Sequence, residues 1–215
     1  MFSYYGGKGQ ISSWYPPPKY DFVIEPFAGA AWYSVRHQLG KRALVNDVNP
    51  IIFQIWDWLL HRATLEMVLA FPPYVAKSGM VRFSDPGQDA FYRFWGNEGT
   101  ESPRNVAGSL HKKTWNSTLR TLPLIKGWEC SCVSYEKLPI IEATWFVDPP
   151  YSQQSRYKNC SPLDYAALGD WCRGLPGQVI VCESEGATWL PFQPLRLGRG
   201  QRKSSKLRAE VYWVK

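Results

Sequence analysis

The first strand–helix–strand unit of the chain lies in residues 22–47, which read FVIEPFAGAAWYSVRHQLGKRALVND. The apolar run 22–26 ends at a proline and small residues, which predicts a buried strand. A helix is predicted over about 30–39, where a glycine stops it. The next apolar run, 43–46, predicts a second strand, and a proline then begins a helix over about 50–60. This β-α-β-α order predicts an α/β fold with a parallel sheet and helices on both its faces.

The middle of the chain interrupts this alternation. Residues 70–126 are rich in Pro, Gly and Asn and contain the aromatic cluster FYRFW at 91–95, so we predict an inserted region there. The later predicted elements are strands at 128–133, 144–147 and 178–182, a helix at 162–172, and a final edge or hairpin strand at 210–214. We therefore expect one main domain built from residues 1–69 and 127–215, with residues 70–126 inserted into it.

Composition excludes several classes of protein. The chain has 215 residues, of which 45% are hydrophobic and 20% charged, the mix of a globular protein rather than of a disordered or collagen-like chain. No apolar run is long enough to span a membrane, and the first residues lack the pattern of a secretory signal. Five cysteines without a CxxC pair favour reduced thiols and a cytoplasmic location. The three histidines are expected to lie far from other possible ligands, so no metal site is predicted.

The positive charge of the chain is concentrated in two stretches. Lys and Arg number 25 against 18 Asp and Glu, a net charge of +7, and residues 104–126 and 196–208 carry basic but no acidic side chains. Segregated positive charge suits a polyanion such as DNA, although two solvated loops on a basic protein would give the same pattern. The candidate DNA-binding residues are Arg104, Lys112, Lys113, Arg120, Arg202 and Lys203.

The strongest chemical signal is Asp148-Pro149-Pro150-Tyr151, which directly follows the predicted strand 144–147. Two prolines fix φ and donate no N–H, so this turn is rigid and its carbonyls are free to accept. Ligands of open α/β sheets bind at this carboxyl edge. Asp148 and the Pro149 carbonyl can accept both hydrogens of an exocyclic amino group while Tyr151 stacks on the ring. A proline-rich turn with a solvated Asp and a packing Tyr is the alternative.

Two further segments suit a bound ligand. Phe27-Ala28-Gly29 joins the first strand to its helix through small residues that allow close approach to the backbone. Asp47 follows the second strand 18 residues after Gly29 (47 − 29 = 18), near the spacing at which Rossmann-like folds bind ribose hydroxyls. Capping of the next helix is the alternative role for Asp47. At residues 4–8, YYGGK combines a tight turn with one positive charge, or is simply a flexible start.

In this order the three segments resemble the Dam-type DNA adenine-N6 methyltransferases, and the resemblance covers nearly the whole chain. It implies a Rossmann-like S-adenosylmethionine-dependent methyltransferase fold, with residues 70–126 as the target-recognition region. It also implies double-stranded DNA as partner, S-adenosyl-L-methionine as methyl donor, S-adenosylhomocysteine as product and no metal. By motif, the implied cofactor-contacting residues are Tyr4, Lys8, Phe27, Gly29, Asp47, Tyr135 and Asp148. The implied catalytic residues are Asp148, Pro149 and Tyr151.

Three departures from the family pattern stand out. Ala31 replaces a second glycine in the cofactor turn, and Ser134 replaces an acid that contacts the cofactor's adenine. Residues 105–111 are only faintly similar to the recognition hairpin, so the DNA sequence read by relatives does not transfer. The short insertion suits an orphan or phage-borne enzyme, and pairing with a restriction enzyme in a restriction–modification system is left open, as is the oligomeric state.

Other functions remain open at this point. The same acid-Pro-Pro-aromatic chemistry serves RNA adenine and cytosine-N4 amino-methyltransferases. A non-catalytic DNA-binding protein built on a methyltransferase scaffold is an alternative of another class. A nicotinamide-dependent oxidoreductase is disfavoured, because the full G-x-G-x-x-G turn is absent.

Overall fold

The computed structural model describes residues 2, 4, 6–72, 81–95, 112–152, 163–195 and 210–215, without the side chains of 95 and 112–115. Its centre is a seven-stranded sheet in the order β3-β2-β1-β4-β5-β7-β6. The strands are β1 (Phe22–Glu25), β2 (Arg42–Asn46), β3 (Glu129–Ser131), β4 (Ala143–Val147), β5 (Gly177–Ser184), β6 (Gln193–Pro194) and β7 (Glu210–Val214). Strands β1 to β5 pair in parallel, whereas β7 is antiparallel to both β5 and β6.

Six α-helices surround this sheet in the described part of the chain. They are α1 (Trp32–His37), α2 (Pro50–Asp57), α3 (Leu65–Leu69), α4 (Pro86–Trp95), α5 (Lys112–Thr121) and α6 (Tyr165–Gly174). Helix α2 continues into a π-helical turn over Trp58–Arg62. No helix among the described residues has the length and apolar character needed to cross a membrane.

Both faces of the sheet are buried, as expected for parallel strands. In β4, Trp145 packs with Leu168 of α6 on one face, while Phe146 faces the other side. There the Phe146 ring stacks on Tyr33 of α1, with centroids 4.1 Å apart and planes 6° from parallel. Burying one such side chain contributes about 1.5–3 kcal/mol, so these alternating residues fix which helix covers which face. The predicted α/β class with a parallel sheet is confirmed.

Several element boundaries differ from the prediction. The predicted helix over 30–39 forms from Trp32 to His37. It begins late because Ala31 adopts a left-handed conformation with φ 46° and cannot be part of a right-handed helix. The predicted strand 128–133 is reduced to Glu129–Ser131. The final strand β7 lies between β5 and β6 and pairs antiparallel with β6, in agreement with the hairpin alternative. Because β6 is the edge strand, the alternative that β7 is the edge is wrong.

Part of the predicted insertion belongs to the main core. A Cβ added to Gly87 of α4 would lie 2.1 Å from the Gln54 carbonyl oxygen of α2, so the two helices approach closely there. The Phe91 ring packs against Trp58, with centroids 5.3 Å apart. Helix α4 is thus anchored on α2, while the division of the chain at residues 70–126 stays a prediction.

The sheet has a switch point between β1 and β4. From β1 the chain order runs outward to β2 and β3, and from β4 it runs the opposite way to β5. The loops that follow β1 and β4 therefore diverge and leave a crevice at the carboxyl ends of these strands. Any ligand of this fold is expected there.

Candidate functional site

A cavity of about 930 Å³ occupies this crevice at the carboxyl ends of the strands. Each predicted cofactor-contacting residue lines it, namely Tyr4, Lys8, Phe27, Gly29, Asp47, Tyr135 and Asp148. Of the Pro-Pro corner after β4, Asp148 and Pro150 also line the cavity, whereas Pro149 and Tyr151 are buried behind that wall. The fold thus brings together segments from the start, the first third and the last third of the chain.

The turn after β1 depends on glycine at one position. Gly29 has φ 48°, and a Cβ added there would lie 2.8 Å from the Tyr4 ring. Its N–H donates to Asp47 Oδ2 at 2.9 Å, and its carbonyl accepts from Trp56 Nε1 at 2.8 Å. The turn is therefore held from two sides, with the Tyr4 ring lying against it.

Asp47 connects the ends of β1 and β2. Besides the Gly29 N–H, its other carboxylate oxygen accepts the Asn49 N–H at 2.9 Å. Burial raises the pKa of Asp47 to about 6, and the two backbone hydrogen bonds oppose this rise. The residue that caps α2 is Asn49, whose Oδ1 accepts from the Ile51 N–H at 3.0 Å. The alternative in which Asp47 caps this helix is therefore wrong.

Asn46, the buried last residue of β2, was missed by the sequence reasoning. Its Nδ2 donates to the carbonyls of Pro26 and Val133 at 2.9 and 3.0 Å. Its Oδ1 accepts from Ser131 Oγ at 2.7 Å and from the Val133 N–H at 3.1 Å. This one side chain joins the ends of three strands around the cavity, and a buried Asn beside Asp47 was the available signal.

Lys8 and Asp148 form an ion pair on the cavity wall. Lys8 Nζ lies 2.9 Å from Asp148 Oδ1 and donates to the Gly6 carbonyl at 3.1 Å, with 5% of the Lys8 side chain exposed. Burial alone would lower the pKa of Lys8, but Asp148 and Glu210 outweigh that effect and raise it. Burial raises the pKa of Asp148, and Lys8 counteracts the rise. The pair keeps opposite charges next to each other at the Pro-Pro corner.

The Tyr151 side chain is held by the carboxylate of Glu210, a residue that the sequence reasoning missed. Its hydroxyl donates to Glu210 Oε2 at 2.6 Å, and Lys8 Nζ lies 4.5 Å from the centre of its ring. The same Glu210 oxygen accepts from the Tyr15 hydroxyl at 3.1 Å. One ring face of Tyr151 is thus covered by Lys8, and stacking of a base on this ring stays a prediction.

A second missed acid supports the corner. Glu183, fully buried near the end of β5, accepts from the Ser152 N–H at 3.0 Å and from Trp189 Nε1 at 3.1 Å. Its other oxygen accepts from the Ser184 N–H at 2.8 Å. The signal was present, because an acid follows the predicted strand 178–182 just as Asp148 follows the neighbouring one.

Glu25 places a buried carboxyl group on the cavity wall. It is 2% exposed and its Oε1 accepts from the Ser34 N–H in the first turn of α1 at 2.7 Å. Burial raises its pKa to about 8, with the Ser34 hydrogen bond working against the rise. At neutral pH this carboxyl group is therefore largely protonated and adds little negative charge to the cavity.

An aromatic wall lies on the opposite side. The rings of Phe27 and Tyr135 have centroids 5.6 Å apart, and Trp171 packs edge-on against Tyr135 at 5.0 Å. Ser134, where the family pattern has an acid, donates from Oγ to Glu136 Oε2 at 2.8 Å. Since Glu136 also lines the cavity, a carboxylate is available two residues beyond the substituted position.

Three of the six candidate DNA-binding residues fall within described elements. Arg120 is exposed on α5 and donates from Nε to the Asn116 carbonyl at 3.1 Å. Lys112 and Lys113 begin α5, with side chains outside the description. The other three, Arg104, Arg202 and Lys203, lie outside the described residues.

Lys126, counted with the first basic stretch, has a structural role. Its Nζ donates to the carbonyls of Leu59 and Ala63 at 2.8 and 2.7 Å, and to that of Leu60 at 3.2 Å. These carbonyls lie at the C-terminal end of the helix formed by α2 and its π-helical turn, where a positive charge is favourable. The charge of Lys126 therefore stabilises this helix end rather than a DNA-facing surface.

His61 corrects one expectation about metal ligands. Its Nδ1 lies 2.9 Å from Asp57 Oδ1, and Cys130 contributes a sulfur within 4.8 Å of both. The expectation that all three histidines lie far from other ligand types is therefore wrong for His61. The second oxygen of Asp57 pairs with Arg62, which also pairs with Asp85, so these groups form an ion-pair network on the surface of α2. The absence of a metal stays a prediction.

No protein-family model and no curated protein sequence matches the chain. Among solved structures, a conserved hypothetical protein of Streptococcus pyogenes is similar at 10% sequence identity and a TM-score of 0.40. That match covers 96% of this chain and 90% of the other.

Proposed function

We propose that this protein is a site-specific DNA methyltransferase that transfers a methyl group from S-adenosyl-L-methionine to the N6 amino group of a flipped-out adenine. The observation that carries the proposal is the position of the Asp148–Tyr151 corner. It ends β4 beside β1, at the switch point of the sheet, and its carboxylate faces the cavity that the glycine turn and Asp47 also line.

The residues of the cavity fit S-adenosyl-L-methionine. A volume of about 930 Å³ lies within the usual range for ligand pockets. Asp47 offers carboxylate oxygens suited to ribose hydroxyls, and the Phe27 and Tyr135 rings offer flat apolar surfaces suited to a purine. When bound, the cofactor would supply an electrophilic methyl group attached to a positively charged sulfur.

The chain's own part in the reaction is to hold the acceptor amine. A carboxylate has about four acceptor sites, so Asp148 can keep Lys8 on Oδ1 and still accept an amino hydrogen. The second hydrogen is assigned to the Pro149 carbonyl, which the proline-fixed turn holds at the same edge, although Pro150 rather than Pro149 lines the cavity here. Catalysis by this corner is then positioning and electrostatics rather than covalent chemistry.

For methyl transfer at this corner, the target adenine must be rotated out of the DNA duplex into the cavity. Extruding a base costs a few kcal/mol, and stacking on an aromatic ring returns about 1–3 kcal/mol per base. Phosphate contacts by the basic stretches 104–126 and 196–208 would supply the remainder. Lys126 is excluded from these contacts by its bonds to the end of α2.

The direct test is methyl transfer to unmethylated DNA. The purified protein is incubated with methyl-labelled S-adenosyl-L-methionine, and the digested nucleosides are identified by mass spectrometry. We expect N6-methyladenine from the wild type and loss of transfer in Asp148→Ala. The matched control is Asp170→Ala, which removes an exposed acid on α6 and should keep full activity.

The other possible outcomes of this assay distinguish the role of Asp148, the acceptor and the alternative functions. Retained transfer by Asp148→Ala would refute the role given to that residue. N4-methylcytosine, or methylation of RNA alone, would replace the acceptor while keeping the site. Binding of cofactor and DNA without any methylated product would favour the non-catalytic DNA-binding protein.

A further inference from the structure

We infer that Glu210 is a specificity-determining residue that makes the site prefer the cationic methyl donor over its uncharged-sulfur product. This inference rests on the proposed function and extends it to a residue that does not line the cavity. The Glu210 carboxylate lies behind the Asp148 corner and contacts Lys8 and Tyr151.

The backbone of Glu210 is fixed by two neighbouring strands. It begins β7, where it pairs with Ser184 of β5, and its carbonyl accepts the Leu195 N–H at 2.9 Å. Its side chain is 14% exposed, so the carboxylate points into the protein. A residue held in this way has little freedom to move its charge.

The carboxylate uses both oxygens toward the site. Oε2 accepts from the hydroxyls of Tyr151 and Tyr15 at 2.6 and 3.1 Å, and Oε1 lies 3.8 Å from Lys8 Nζ. Lys8 in turn lies 2.9 Å from Asp148 on the cavity wall. Glu210 therefore reaches the cavity through two residues that it contacts, Lys8 and Tyr151.

The net charge of Lys8, Asp148 and Glu210 affects how strongly the cavity attracts a cationic donor. Lys8 carries +1, and the two carboxylates that face it, Asp148 and Glu210, carry −1 each when ionised, so the ionised triad sums to −1. Without Glu210 the remaining pair would sum to zero. A net negative, mostly buried group attracts a cation in the adjacent cavity, and burial weakens screening by salt. The sulfonium of the donor is a cation, whereas the thioether of S-adenosylhomocysteine is not.

Substitutions at Glu210 and Tyr15 can separate the effect of the Glu210 charge from that of its hydrogen bonds. The two tyrosine hydroxyls can donate equally well to an amide oxygen, so Glu210→Gln keeps an acceptor and removes only the charge. Glu210→Asp keeps the charge and shortens the side chain. Tyr15→Phe removes one hydrogen bond to the carboxylate and leaves the charge in place.

The experiment compares binding of three ligands by calorimetry: S-adenosyl-L-methionine, S-adenosylhomocysteine, and a donor analogue carrying a protonated amine in place of the sulfonium. In Glu210→Gln we expect both cationic ligands to bind on the order of tenfold more weakly, because a negative charge beside a mostly buried site is removed. Binding of the neutral-sulfur product should change less than about twofold. Glu210→Asp and Tyr15→Phe should keep the wild-type ratio of donor to product affinity.

The matched control for charge is Glu142→Gln, an exposed acid that precedes β4 at the opposite edge of the sheet. It should leave all three affinities unchanged. Equal weakening of donor and product in Glu210→Gln, or an unchanged ratio, would overturn the inference while leaving the proposed function intact. If Glu210→Gln does not fold, the wild type still decides, because product binding as tight as donor binding would contradict the charge argument. Failure of the wild type to bind the donor at all would instead remove the proposed function.

Discussion

The ammonium of Lys8 and the carboxylate of Asp148 lie 2.9 Å apart, joining the start of the chain to the carboxyl end of β4. About a fifth of the Asp148 side chain is exposed, and almost none of Lys8. The pair therefore sits at the boundary between the cavity and the core. The pair contributes to the stability of the corner, and Lys8 opposes the rise in the pKa of Asp148 that burial causes.

Removing one member of this pair should cost more than removing both. In Lys8→Met the Asp148 carboxylate loses its cation, so we expect a loss of about 2 kcal/mol in the free energy of unfolding, below the 3–5 kcal/mol of fully buried pairs because Asp148 is partly exposed. The double variant Lys8→Met/Asp148→Asn should recover part of that loss. Urea unfolding at neutral pH measures Lys8→Met, Asp148→Asn and the double variant. Strictly additive costs would show that the two residues are not coupled.

Donor binding should depend on pH through Asp47. Its pKa is raised to about 6 by burial, so the ionised, better-accepting form becomes dominant above that value. We expect donor affinity to rise between about pH 5 and pH 7 and then to level off. Asp47→Asn should bind the donor weakly, because its single amide oxygen cannot replace both carboxylate oxygens that accept backbone N–H groups. It should also lose the pH dependence, because an amide does not ionise. Calorimetry across that range tests this, with Asp170→Asn as the control, and an unchanged pH profile in Asp47→Asn would contradict it.

Glu25 should make the protein less stable as pH rises from about 4.5 to about 8. Its pKa is raised from 4.5 to about 8, so the folded state holds a proton that the unfolded state has lost between these values. The free energy of unfolding therefore falls as pH rises through this window. Glu25→Gln, which is neutral throughout, should be more stable than the wild type near pH 8, by about 1.4 kcal/mol for each unit of pKa shift. Parallel stability curves for the two proteins between about pH 5 and 8 would exclude this role.

The turn after β1 offers a matched pair of substitutions. Ala31 has φ 46° and Gly29 φ 48°, and the left-handed region costs an L-residue about 1–2 kcal/mol. Ala31→Gly should therefore stabilise the protein by up to about 1 kcal/mol, since part of the relief is offset by the greater entropy of unfolded glycine. Gly29→Ala should destabilise it and displace Tyr4, whose ring lies 2.8 Å from the added Cβ. Thermal unfolding of both variants is the measurement, and the same sign for both would be inconsistent with backbone strain.

The basic stretches should determine the salt dependence of DNA binding. Neutralising Lys112, Lys113, Arg202 and Lys203 is expected to reduce the slope of log affinity against log salt by about 3–4, because each phosphate that a side chain neutralises contributes about 0.9 to that slope. The control is Lys41→Gln, an exposed lysine just before β2 at the opposite edge of the sheet, which should leave the slope unchanged. An equal slope for the fourfold variant would show that these residues are merely solvated.

The order of strands and helices was largely readable from the sequence, because it depends on local patterns. The apolar runs predicted β1, β2, β4 and β5, and the acids after two of these strands, Asp47 and Asp148, pointed to the carboxyl edge of the sheet. The α1 boundary was less accurate, because the left-handed conformation of Ala31 depends on how the turn packs and not on residue type.

The partners of each acid were decided by the tertiary structure alone. Sequence spacing placed Asp148 and Lys8 in separate motifs, and nothing in it linked either to Glu210 or Glu183. The Glu210 contacts need β7 to pair antiparallel with β5, and the Glu183 contact to Ser152 needs β5 to lie beside β4, so both depend on the pairing of strands distant in sequence. Local sequence therefore indicated the candidate site residues, whereas the sheet order decided which charges face each other, since electrostatic interactions depend on distance in space and not along the chain.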